Sequence, residues 1–108
     1  MTTDKHTLDR LFATIESRKG ADPASSYTAK LFGKGKAKIA QKLGEEATET
    51  VIAAMGGDQR EVASESADLL YHLLVLWAET GVAPEDVWAI LDEREGVSGI
   101  AEKASRKE

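Results

Sequence analysis

Apolar residues recur at three- and four-residue intervals along most of the chain, and nowhere do they alternate with polar ones. That periodicity confines the chain to helices packed on helices. Leu8, Leu11, Phe12 and Ile15 show the i, i+3, i+4, i+7 spacing, with Thr7 as the expected cap. Arg18-Lys19-Gly20 ends that helix, and residues 21–26 read as a loop. A short helix is expected over residues 27–32, stopped by Gly33-Lys34-Gly35. That turn lacks the spacing, the Ser/Thr and the preceding strand of a P-loop.

The pattern then predicts a long helix over residues 36–55, with Ile39, Ala40, Leu43, Ala47, Val51 and Ala54 as its apolar stripe. Gly56-Gly57 stops it. Asp58, with Glu61 three residues later, reads as a variant capping box. The helix it opens is expected to reach Glu79 or Thr80 through Leu69, Leu70, Leu73, Leu74, Leu76 and Trp77. Pro84 opens a last helix to about Arg94, with Val87, Ile90 and Leu91 on one face. A polar tail follows, anchored at Ile100. The fold class expected is all-α: an antiparallel bundle of four to five helices, one domain over residues 1–108.

Composition narrows the function. A charged fraction of 31% argues against a membrane protein, and no apolar run approaches the ~20 residues that span a bilayer. Met1 to His6 offer no apolar stretch of a signal peptide, so a cytoplasmic protein is the expectation. With no cysteine there are no disulfides, thiolate metal sites or cysteine nucleophiles. A net charge of −5 disfavours non-specific nucleic-acid binding. The charge is polarised, however. Lys30, Lys34, Lys36, Lys38 and Lys42 crowd one stretch, and acids crowd the segments after it, as suits a phosphate ester bound with a divalent cation. The fourth helix is apolar over a wide arc, and a homodimer or higher homo-oligomer would cover it.

The acids themselves are spaced for one site. Glu45, Glu46 and Glu49 lie within about one turn on the third helix, with Lys38 and Lys42 on the same side and the apolar stripe expected opposite. Glu65, Asp68 and His72 share a face of the fourth. The Gly turn makes these helices antiparallel neighbours, so five carboxylates would meet in one cleft. Oxygen-only ligands of this charge density suit Mg²⁺ or Mn²⁺ rather than zinc. Each acid alone reads as a solvated face or an i,i+4 partner, as with Lys42 and Glu46. Glu61 is assigned to the capping box, and His72 reads as a packed or hydrogen-bonded histidine. The joint pattern on two consecutive helices is what points to a site.

Glu-Glu-x-x-Glu followed one helix later by Glu-x-x-Asp resembles the metal-binding motif of the all-α NTP pyrophosphohydrolases, here as Glu45, Glu46, Glu49, Glu65 and Asp68. The segments 26–31, 38–47 and 65–74, and the tail 98–106, resemble the phosphoribosyl-ATP pyrophosphohydrolase family in order and without large insertions. The resemblance implies hydrolysis of phosphoribosyl-ATP to phosphoribosyl-AMP and pyrophosphate, the second step of histidine biosynthesis, with a Mg²⁺ requirement and a homo-oligomeric bundle. In many relatives this activity is fused behind a cyclohydrolase domain. Nothing here matches that domain, so an enzyme acting alone is expected. On this reading Glu46 or Glu49 is the base that activates water, and Lys30, Lys34, Lys36, Lys38 and Lys42 are candidates for the phosphates. Backbone N–H groups near Lys36 could also meet an anion. Lys103 and Arg106 match the family's tail with no role assigned. The alternatives are a house-cleaning dNTP pyrophosphohydrolase with the same metal chemistry, a non-catalytic helical interaction module, and a purely structural dimerisation bundle.

Overall fold

The computed structural model describes residues 6–95, and these form five helices: α1 (Thr7–Ser17), α2 (Tyr27–Lys34), α3 (Lys36–Gly56), α4 (Gln59–Thr80) and α5 (Pro84–Arg94). The all-α bundle read from the periodicity is therefore the fold observed. Three of the five N-termini are capped by side chains that accept from the first free N–H groups of their helix. His6, not Thr7, caps α1, its Nδ1 accepting from the Leu8 N–H at 3.1 Å. Ser26 accepts from the Ala29 N–H at 3.1 Å. Asp58 accepts from the N–H groups of Arg60 at 3.0 Å and Glu61 at 3.5 Å. Ahead of α5, the Ala83 N–H donates to Asp86 Oδ2 at 3.0 Å.

Helices α3 and α4 form an antiparallel hairpin that organises the rest. Gly57 makes the turn at φ +82°, a left-handed backbone that L side chains rarely adopt. The end of the hairpin away from this turn carries the core. Ile15 of α1, Leu31 of α2, Ile39 of α3 and Leu74, Val75 and Ala78 of α4 are buried together, with Leu11, Phe12, Phe32 and Trp77 packed around them. Lys19 clamps this end: its Nζ donates to the Ala78 carbonyl at 2.7 Å and sits 5.6 Å from the centre of the Phe32 ring. Helix α5 is held through Trp88, which stacks edge-on against Trp77 at 5.9 Å and donates to Asp9 Oδ1 at 3.3 Å.

The turn end of the hairpin is different. Every buried residue of α4 falls at or after His72, and Val51, Ile52 and Met55 on α3 are 63%, 63% and 82% exposed. This corrects the expected stripe of α3. Ile39 is buried as expected, but Ala40, Val51 and Ala54 face outward, while Ala53 is buried. The carboxylates do not stand opposite the packed face either: Glu46 and Glu49 lie on the side that meets α4. The physical reason is that α3 is apolar around most of its girth near the turn, so periodicity does not single out one face. Among the described residues no helix is long and apolar enough to cross a membrane.

Candidate metal centre

The hairpin places its acids by equal counting from the turn. Glu49 and Glu65 each stand eight residues from Gly57, and Glu46 and Asp68 each stand eleven. In antiparallel helices with a common rise, equal counts put backbone positions at about one height, so the two arms bring their acids to the same stretch of the hairpin. Glu46, Glu49 and Glu65 each offer an oxygen, and these oxygens lie within 4.8 Å of one another. Two oxygens on one Mg²⁺ ion are at most about 4.2 Å apart, so small side-chain rotations would close the three around a cation.

Two further observations support a cation there. Glu46 Oε1 and Glu65 Oε1 are buried with no hydrogen-bond partner among the described residues, a costly arrangement for a lone acceptor. In addition, Glu65 holds its proton above the ordinary carboxylate range. Burial is the main cause, followed by the neighbouring Glu49, Asp68 and Glu46. A divalent ion would relieve both. The residues present fit Mg²⁺ or Mn²⁺: oxygen donors only, high charge, and room left for waters and phosphates.

Glu45 is set apart from this trio. It is exposed, accepts from Gln41 Nε2 at 2.9 Å and pairs with Lys42 at 3.4 Å. Gln41 first and Lys42 next keep its carboxyl below the usual range, and Lys42 is raised in turn, chiefly by Glu45. Lys42 also feels Glu46, and Lys38 acts on Glu45, so these two lysines border the acids. Lys30, Lys34 and Lys36 are exposed and form no ion pair among the described residues. Their place is still next to the hairpin, on α2 and the first turn of α3.

Two features escaped the sequence reading. The Glu61 N–H is capped by Asp58, but its side chain lines one cleft with Glu49, Ile52, Ala53 and Glu65. The signal was available, because Glu61 precedes Glu65 by four residues and so shares its face. The second feature is an aromatic wall. The Tyr71 ring lies 5.0 Å from that of His72 and its hydroxyl bonds that of Thr28, while Tyr27 lies 6.4 Å from both rings. Tyr27 arrives from α2, and no spacing within one helix announces it. Lys103, Arg106 and the rest of the tail lie outside the described residues.

Among the described residues there are helices alone, and carboxylates from two antiparallel arms converge on one cation-sized space, an arrangement that an all-α pyrophosphohydrolase would share. The family model described as phosphoribosyl-ATP pyrophosphohydrolase matches residues 8–95. The chain is 68% identical to the phosphoribosyl-ATP pyrophosphatase of Azospirillum brasilense over 100 residues, 93% of this chain and 90% of that one. It is 62% identical to that of Parvibaculum lavamentivorans over 108 residues, 100% of this chain and 99% of the other. The corresponding protein of Rhizorhabdus wittichii is 66% identical over 100 residues, covering 93% and 94%. The chain belongs to the phosphoribosyl-ATP pyrophosphohydrolase family.

Proposed function

We propose that the chain hydrolyses phosphoribosyl-ATP to phosphoribosyl-AMP and pyrophosphate, the second step of L-histidine biosynthesis, with the α3–α4 acids as its metal centre. Family membership supports the reaction. The observation that carries the site is the convergence of Glu46, Glu49 and Glu65 within 4.8 Å, with buried oxygens left unpaired on two of them.

Glu46, Glu49 and Glu65 would hold Mg²⁺, with Asp68 at the same height as Glu46, and Mn²⁺ would suit the same donors. A cation held there would supply charge neutralisation for the phosphates and would make a nearby water easier to deprotonate. The chain's own part is to place and deprotonate. Glu46 or Glu49 takes the proton of the attacking water, in line with the bond between the α and β phosphates. Glu45, held by Gln41 and Lys42, keeps Lys42 at the rim, where Lys38 adds a second charge for the departing pyrophosphate. Lys30, Lys34 and Lys36 extend that rim outward for the rest of the phosphate chain.

The uncovered apolar surface around Val51, Ile52 and Met55 supports a homo-oligomer, in its simplest form a homodimer, in which a second copy covers the turn end of the hairpin. A water-soluble nucleotide substrate is consistent with work in the cytoplasm. Pyrophosphate release from phosphoribosyl-ATP, measured with and without Mg²⁺ beside ATP and a dNTP panel, tests the reaction. Mg²⁺-dependent release confined to phosphoribosyl-ATP is the expected result. Release from dNTPs in its place would move the activity to nucleotide-pool cleaning.

A further inference from the structure

One polar atom on the aromatic side of the hairpin has no work in the chemistry above. His72 is 6% exposed, and its Nδ1 lies 2.8 Å from the Asp68 carbonyl oxygen. Its Nε2 is buried and finds no hydrogen-bond partner among the described residues. A carbonyl oxygen only accepts, so Nδ1 carries the hydrogen, and in the neutral ring Nε2 is left as an acceptor. Buried acceptors are nearly always paired, so an unpaired one calls for a donor from outside the described residues, and a bound ligand is one such source.

The surroundings say which kind. Tyr71 and Tyr27 both stand edge-on to the imidazole, at 90° and 79°. Tyr71 is anchored through Thr28. Tyr27 is not: it is the first residue of α2, 53% exposed, and no hydrogen bond among the described residues holds its hydroxyl. It also lies close enough to Lys42 to act on its charge. Lys42 and His72 each stand fifteen residues from Gly57, one turn beyond Glu46 and Asp68 at eleven. A half-exposed ring therefore stands beside a buried acceptor one helical turn from the acids, where a nucleoside would continue from phosphates held by them.

We propose that Tyr27 and His72 form the purine subsite: the Tyr27 ring swings out and stacks on the base, and His72 Nε2 accepts a hydrogen bond from the nitrogen on C6 of the purine. A flat base and an aromatic face need only approach in parallel, whereas one acceptor at the purine edge gives discrimination among bases. The subsite rests on the reading that the acids hold the triphosphate through Mg²⁺, and the test separates the two.

Calorimetry in Mg²⁺ with AMP, purine riboside 5′-monophosphate (which lacks the C6 amino group) and inorganic pyrophosphate provides that test. In the unaltered protein AMP should bind about tenfold more tightly than purine riboside monophosphate, the effect of one hydrogen bond. His72→Phe keeps an aromatic ring and should remove that tenfold advantage, leaving purine riboside monophosphate and pyrophosphate unaffected. Tyr27→Ala should weaken both nucleotides and Tyr27→Phe neither. Equal binding of the two nucleotides to the unaltered protein overturns the proposal without any variant. So does a loss of pyrophosphate affinity in His72→Phe matching the loss of AMP, which would make His72 a packing residue. If pyrophosphate fails to bind while AMP still depends on His72, the metal reading falls and the purine subsite stands.

Discussion

Glu65 shows how a single side chain registers the whole site. It is pressed between the arms of the hairpin with Glu49, Glu46 and Asp68 around it, and burial together with these charges favours its protonated form. Because its folded pKa lies above its unfolded one, its contribution to stability is full below the unfolded value of about 4.3 and is lost as pH rises through the folded value. Melting of the metal-free protein followed from pH 4 to pH 7.5 should therefore show a decline that Glu65→Gln removes, and that Mg²⁺ suppresses in the unaltered chain. Parallel profiles for the two proteins would contradict that account. Glu49 and Asp68 carry the chemical counterpart. Glu49→Ala or Asp68→Ala should lower Mg²⁺-dependent pyrophosphate release by at least about 100-fold while the helical circular dichroism stays unchanged. Full activity in either would remove that residue from the site.

The helices were legible because most local devices agree with the global pattern, the Thr7 cap apart: a 3.6-residue period, Asp58 at the start of α4, Gly57 after α3 and Pro84 at the start of α5. Gly57 is the one on which the site depends. Gly57→Ala meets no steric neighbour, but at φ +82° it should cost about 1–2 kcal/mol by urea unfolding. Activity should fall further than stability, since both arms take their height from that turn. The acidic motif was equally legible, because i, i+3 and i, i+4 spacing is a property of one helix. What could not be read was which face of α3 turns inward. Ala47, Val51, Ile52, Ala54 and Met55 surround it near the turn, and only contact with α4 selects Ala53 and Glu46. Tyr27 was hidden for a related reason: its partners lie on another helix, at a separation in sequence that no period reports.

At the scale of the molecule, the core and the site occupy successive stretches of one hairpin, and the stretch beyond the site is left bare. Ile39, Leu74 and Val75 secure the far end, the acids take the middle, and Val51, Ile52 and Met55 stand exposed near the turn. Replacing Val51 and Met55 together by Asp should shift the protein to a smaller species in sedimentation velocity, with the monomer's helices intact. A single unchanged species would count against a homo-oligomer held at this end of the hairpin. The equal counting from Gly57 also constrains how such a protein can change over generations. A residue inserted or deleted between Gly57 and Glu49, or between Gly57 and Glu65, turns every side chain beyond it by about 100° and slides that arm by about 1.5 Å. One arm's acids would then leave the other's. Substitutions can accumulate along the hairpin, but its arms cannot change length one at a time, so length variation among descendants should gather in the connections before α2 and after α4.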